Sequence, residues 1–218
     1  MRSRREEDTV KDRREVYFLT SNKDKFTEAA AVAEALGIRL RMLTATKIEI
    51  QSYSLQRIAS YAAQEATNRL GVAVATEDAG LFIHSLHGFP GPYSSDVFKR
   101  VGTKGVLKLM KNMSRRNAEF CSAVAYCAPH GRPRCFTGAV AGRIGLHPRG
   151  AGGFGFDPIF IPFEGDGRTF AQMTEEEKNR ISHRATSFRK FSRWLLARQI
   201  KCTDVPSKHN PLDWPAKK

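Results

Sequence analysis

Thr20, Ser21, Asn22, Lys23, Asp24 and Lys25 stand directly after a short apolar run at 15–20 and before Phe26, Ala29, Ala30 and Ala33 at helical spacing. That pattern reads as strand, loop, helix, and it gathers hydroxyl, amide and ammonium groups at a helix N-terminus. Unpaired N–H groups and the positive end of the helix dipole make such a place a cradle for phosphate-like anions. The segment has no glycine and is not a P-loop, and Ser21 or Asn22 could also serve simply as the helix cap.

Three further segments hold chemistry of other kinds. Glu77 and Asp78 follow one apolar run and Glu49 closes another, so carboxylates at strand ends can meet in one crevice. Hard oxygen ligands of this sort hold Mg²⁺ that also takes substrate phosphates, and a carboxylate beside the metal can accept a proton from water. An acidic turn would use the same residues. Gly152 to Asp157 (GGFGFD) sets two phenylalanines among glycines, a loop whose backbone can approach a ligand and whose aromatic faces can stack on a planar base, or one pinned by burying its rings. Glu177, Lys178 and Asn179, followed by Ser182, His183 and Arg184, offer a point charge, an imidazole and a guanidinium fork for phosphate, or a solvated basic face.

The elements that must position these groups follow from periodicity and punctuation. Residues 38–43 and 47–50 read as strands, and 55–70 reads as a helix ended by Gly71. Strand candidates at 72–76 and 81–86 flank the acidic turn at 77–80. A rigid Gly/Pro loop spans 87–93, and a helix covers 96–110. Two long strands at 118–128 and 134–145 form a hairpin around PHGRP. The glycine-rich loop at 149–158 leads to IFIPF, Thr174 and Glu177 form a capping box, and Phe188, Phe191 and Leu195 mark the core face of a last helix. The fold class is therefore α/β with a mixed sheet, and a nucleotide site is expected in a crevice at strand carboxyl ends.

Bulk properties narrow the field. The chain has 218 residues, 41% of them hydrophobic, which suits one cooperative domain over 15–200 between basic tails at 1–14 and 201–218. No window approaches a membrane span, so a soluble, unexported, cytoplasmic protein with no membrane partner is expected. Cys121, Cys127, Cys135 and Cys202 lack paired spacing and read as reduced thiols. The net charge is +14, and the stretch from Lys178 to Lys201 carries eight Lys/Arg with no acid. Charge of that size attracts polyanions, so weak, salt-sensitive nucleic-acid binding is a secondary expectation.

Together TSNKDKFTE, EDAGLFIHSLHGFPGPYSS, GGFGFDPIFIP and EEKNRISHR, in this order and spacing, resemble the inosine/xanthosine triphosphate pyrophosphatase family over about residues 16–196. The resemblance implies an elongated, two-lobed mixed-sheet fold with flanking helices, an active site in the central cleft, a homodimer, and hydrolysis of ITP, dITP or XTP to monophosphate and pyrophosphate with Mg²⁺. It implies that Asn22 and Lys25 hold the triphosphate, that Glu49 and Asp78 serve the metal and Asp78 also activates water, and that Phe154 stacks on the purine. Asp157 would shape the base pocket, Lys178, His183 and Arg184 would close over the nucleotide, and Thr20, Ser21, Ala79, Gly155 and Phe156 complete the substrate-binding set. Ser21 replaces a common family glycine, and Tyr61 stands where many members carry a phosphate-reaching lysine. A pyrophosphatase for other modified nucleotides keeps the same fold. A nucleic-acid-binding module leaves the clustered acids unexplained, since they repel a phosphate backbone unless a metal intervenes.

Overall fold

The structure, a computed structural model, describes residues 14–198. Apart from Arg14, the two expected tails and Cys202 lie outside the described residues.

Strand β1 (Arg14–Leu19) runs into helix α1 (Lys23–Glu34), strand β2 (Ile38–Leu43) and helix α2 (Leu55–Leu70). β3 (Val74–Ile83), β4 (Pro90–Gly91) and α3 (Ser94–Leu109) follow, then the hairpin β5 (Asn117–Cys127) and β6 (Arg134–Ile144). β7 (Phe160–Pro162), α4 (Glu175–Ile181) and α5 (His183–Ala197) are the last elements of the described residues. Local chemistry sets these bounds. α2 begins where the Ser54 side chain accepts from the Arg57 N–H and stops where Gly71 turns left-handed at φ 68°. α4 opens on the capping box of Thr174 and Glu177. α3 starts two residues earlier than its periodicity suggests and breaks at Gly102, whose φ of 61° no helix accepts.

One seven-stranded sheet runs in the order β2-β1-β3-β5-β6-β7, with β4 paired to β3. β1 is parallel to β2 and β3, and the remaining pairs are antiparallel. α1 and α5 pack on one face against Val16, Phe18, Val124 and Tyr126, while α2 packs its alanines on the other against Ala123, Ala125 and Cys127. Gly138 lets α5 lie directly on β6, since a Cβ there would come within 2.1 Å of the His183 carbonyl oxygen. A separate apolar cluster of Leu81, Ile83, Val106, Met110, Phe120, Phe160 and Phe170 forms the other lobe. β3 and β5 cross both lobes, and their middles are polar: Thr76, Glu77, Asp78 and Ser122 are all buried there.

Two expectations are corrected. Residues 47–50 form no strand but belong to an irregular loop, with Ile48 44% exposed and no sheet partner among the described residues. The acidic turn at 77–80 is no turn: β5 pairs with β3 continuously from Val74 to Ile83, so Glu77 and Asp78 sit mid-strand. Ordinarily acids there would cost several kcal/mol. Their compensation comes from distant elements.

Candidate active site

β1 pairs with β3 only over Val74–Thr76, and β4 takes the same edge again at Leu81 and Phe82. Between them, among the described residues, the edge of β3 at residues 77–80 has no strand beside it, and this notch lies where β1 ends and the chain turns into α1. The resulting cavity, about 310 Å³, is lined by Asn22 and Lys25 from α1, Ala79 and Gly80 from β3, Phe98 and Lys99 from α3, Phe154 to Asp157 from the glycine-rich loop, and His183 and Arg184 from α5. Sequence segments far apart in the chain thus share one hollow of ligand size.

Because side chains alternate along a strand, Glu77 and Asp78 face opposite sides of the sheet. Glu77 points to the α1 and α5 side. It is fully buried and meets Lys25 at 2.9 Å, the Arg184 Nε at 2.9 Å and the Ser122 hydroxyl at 3.0 Å. Burial alone would raise its pKa, but Arg184 and Lys25 hold it well below the usual carboxylate range. Glu28 of α1 joins the same cluster: it receives the Arg184 Nη1 at 2.5 Å and the Lys178 Nζ at 2.7 Å. Lys178 also bonds Asp157 Oδ2 at 2.6 Å, and that oxygen accepts the Phe154 N–H at 2.8 Å. Three carboxylates and three cations therefore interlock beneath the cavity. Among them Arg184, Lys178, Glu28 and Asp157 are at most 5% exposed.

Asp78 points to the α2 side and is treated differently. Its Oδ2 is buried with no hydrogen-bond partner among the described residues. Burial pushes its pKa up to about 6, against the lowering pull of Lys25 and Lys47 and with Glu77 and Glu49 adding to the rise. Glu49, on the irregular loop, is within electrostatic reach of it and pairs with Lys47 at 2.5 Å. Among the described residues no three His, Cys, Asp or Glu side chains gather as a metal cluster. An all-oxygen pair with one buried unpartnered oxygen suits Mg²⁺, which takes few protein carboxylates and completes its shell with water and phosphate.

Thr20, Ser21, Glu49, Asp78 and Lys178 lie outside the cavity walls. Thr20 is buried and its hydroxyl accepts the Asn22 N–H at 3.2 Å, while Ser21 is exposed. Asn22 is the α1 N-cap, its Oδ1 accepting the Lys25 N–H at 3.0 Å. Gly155 turns left-handed, and Gly153 must be glycine because a Cβ would stand 2.3 Å from Asp157 Oδ2. Phe156 is buried against Phe98, whereas Phe154 is half-buried with Lys178 and Arg184 at 5.0 and 5.3 Å from its ring centre. The solvated basic face considered for 178–184 is overturned: Lys178, His183 and Arg184 are all buried. His183 stacks on Phe120 at 4.8 Å, and burial holds its pKa far below the ordinary value, so it is neutral, with Nδ1 unpartnered among the described residues. Tyr61 is half-exposed on α2.

Sequence reasoning missed Glu28 and Lys47. Glu28 had a signal, an acid on the apolar stripe of α1 beside Ala29 and Val32. Lys47 had none, because its loop has no periodicity.

The Ham1 family model matches residues 16–194. A protein named dITP/XTP pyrophosphatase from Methanopyrus kandleri is 48% identical over 179 residues, covering 82% of this chain and 95% of that protein. Its namesake from Thermococcus kodakarensis is 48% identical over 178 residues, with 82% and 95% covered. The solved structure of a HAM1 protein from Coxiella burnetii superposes with a TM-score of 0.75 at 28% identity, covering 84% of this chain and 98% of that one.

Proposed function

The chain belongs to the Ham1 family, and from that premise we propose that it is a nucleoside triphosphate pyrophosphatase that hydrolyses deaminated purine nucleotides, ITP, dITP and XTP, to the monophosphate and pyrophosphate. The observation that carries this reading is the notch at residues 77–80, where an anion-binding helix N-terminus and an aromatic loop line one cavity and the unpartnered carboxylate of Asp78 stands in the same stretch of strand, just outside the cavity walls.

Asp78 and Glu49 would hold a divalent cation, magnesium foremost, which when bound supplies charge neutralisation to the triphosphate. Asp78, ionised above its raised pKa of about 6, accepts the proton of the attacking water near neutral pH. Lys25, half-exposed beside Glu77, and the α1 N-terminus with Asn22 receive phosphate oxygens. Phe154 offers a ring to the base. Asp157 fixes that ring's backbone through the Phe154 N–H, and Lys178 holds Asp157 in turn. Neutral His183, whose Nδ1 has no partner among the described residues, would read the base edge. Adenine carries an amino group where hypoxanthine and xanthine carry a carbonyl, and a buried polar group left unpaired costs about 1–3 kcal/mol, so several such mismatches set selectivity. Arg184, already paired with Glu28 and Glu77, lends charge to the cavity wall and holds Glu77 in place.

We further read the protein as cytoplasmic and homodimeric. The aromatic patch that includes Tyr53, 88% exposed and edge-on to Tyr93, supports the second point. Among the described residues no helix is long and apolar enough to cross a membrane. A panel of nucleoside triphosphates assayed with Mg²⁺, with products identified, tests the reading: ITP and XTP should give monophosphate and pyrophosphate only with the cation present. Release of orthophosphate instead would sink it.

A further inference from the structure

Lys47 lies on the irregular loop between β2 and α2. Its ammonium donates to the main-chain carbonyl of Glu77 at 2.9 Å and pairs with Glu49 Oε1 at 2.5 Å, and its charge acts on the Asp78 carboxylate. The Lys47 side chain is 19% exposed, less than half the 49% of Glu49. The two carboxylates assigned to the divalent cation therefore already share a cation, and it belongs to the protein. Asp78 Oδ2 remains without a hydrogen bond despite that neighbour. The lysine offsets the charge of the pair without filling its coordination.

We infer that Lys47 is the resident counter-ion of the Glu49 and Asp78 pair, so that a divalent cation enters this site by exchange with the ammonium rather than by addition to bare carboxylates. The physical reason is that a half-buried pair of acids with no cation repels itself, and a lysine on a flexible stem neutralises it at little cost. The same lysine must be released before Glu49 can ligate fully, since one carboxylate oxygen at 2.5 Å from an ammonium is occupied. The ion pair thereby sets a threshold for metal entry. This inference rests on the reading of Glu49 and Asp78 as the cation's ligands.

Calorimetric titration of Mn²⁺ into the metal-free full-length protein, without nucleotide and at constant ionic strength, tests it. Lys47→Met should tighten Mn²⁺ binding about fivefold, the size of an ion pair at a partly exposed site. Lys47→Arg, which keeps the charge, should bind as wild type does. Glu49→Gln should bind more weakly. Unchanged or weaker binding in Lys47→Met, with Glu49→Gln still impaired, overturns the exchange while leaving the ligand assignment intact; an unimpaired Glu49→Gln removes both. The wild-type protein gives a second readout that needs no variant to fold. Acetylation of the Lys47 amine, followed by peptide mass spectrometry, should accelerate when Mn²⁺ saturates the site, and an unchanged rate overturns the inference.

Discussion

Glu77 and Asp78 are adjacent in the chain yet belong to two differently built regions. On the α1 and α5 side of the sheet, Glu77 is enclosed by Lys25, Arg184 and Ser122, and its charge is held permanently. On the α2 side, Asp78 is also buried, though less completely, and keeps an oxygen without a hydrogen bond or a close cation among the described residues and a pKa pushed up to about 6. In the first region the carboxylates are matched by cations, Glu77 Oε2 lacking a conventional hydrogen bond but meeting the Lys25 ammonium at 2.9 Å, and the cluster is a scaffold. The second leaves a group unsatisfied, and that group stays available for chemistry.

The strongest way to break this contrast is to remove the reactive oxygen. Asp78→Asn should cut ITP turnover by about 10²–10⁴ while nucleotide still binds, as loss of a general base does. A variant retaining more than about a tenth of the wild-type rate would make Asp78 a structural residue.

The scaffold should answer in the currency of stability. Arg184→Ala strands Glu77 and Glu28 without a shared cation and should cost about 3–5 kcal/mol in urea unfolding. A loss under about 1 kcal/mol, typical of surface pairs, would mean the cluster is not energetically buried.

Asp78→Asn should move stability the opposite way. An acid whose folded pKa of about 6 exceeds its ordinary 3.8 binds its proton more tightly when folded, so its contribution favours folding at acid pH and is lost as pH rises through that window. The amide does not ionise. In metal-free protein at pH about 8, Asp78→Asn should be more stable than wild type by roughly 2 kcal/mol, the worth of a shift of this size after allowance for relaxation. The wild-type decline in stability between pH about 4 and 6 should be shallower in the variant, and equal slopes would refute the assignment.

The smallest effects belong to the outer face of α5. Arg189 donates to the main-chain carbonyls of Asn179 and Arg180 near the end of α4, so it is not the freely solvated residue its helical position suggests. Arg189→Ala should cost about 1 kcal/mol in thermal unfolding, the value of a hydrogen-bonded cap. Arg193→Ala, exposed on the same helix, should stay within about 0.5 kcal/mol and leave ITP hydrolysis intact.

How far such contrasts are legible in the sequence depends on the range of the forces that set them. The bounds of α2 could be read from Ser54 and Gly71, and the core face of α5 from Phe188, Phe191 and Leu195, because caps and periodicity are local. β3 was unreadable as one strand because Glu-Asp-Ala-Gly carries turn propensity. What keeps it extended is the ladder to β5, with cations from α1 and α5 offsetting its acids. The burial of Arg184 and Lys178 depends on Glu28, about 150 residues earlier, and no local pattern reports such a partner. The segments that would bind substrate were legible as motifs, whereas their division into scaffold and reactive group was not.

The alternation of Glu77 and Asp78 also bears on folding fidelity. A slip of β3 against β5 by one residue would exchange the two acids between the faces of the sheet, and charge alone would resist this poorly, since one carboxylate beside Arg184 resembles another. Gly80 fixes the other edge of the strand: a Cβ at that place would stand 2.2 Å from the Gly91 carbonyl oxygen, so in the pairing with β4 neither Ala79 nor Leu81 can take its position. A single absent methyl group thus sets where β4 closes on β3, and with it how much of the strand edge is left open beside Glu77 and Asp78.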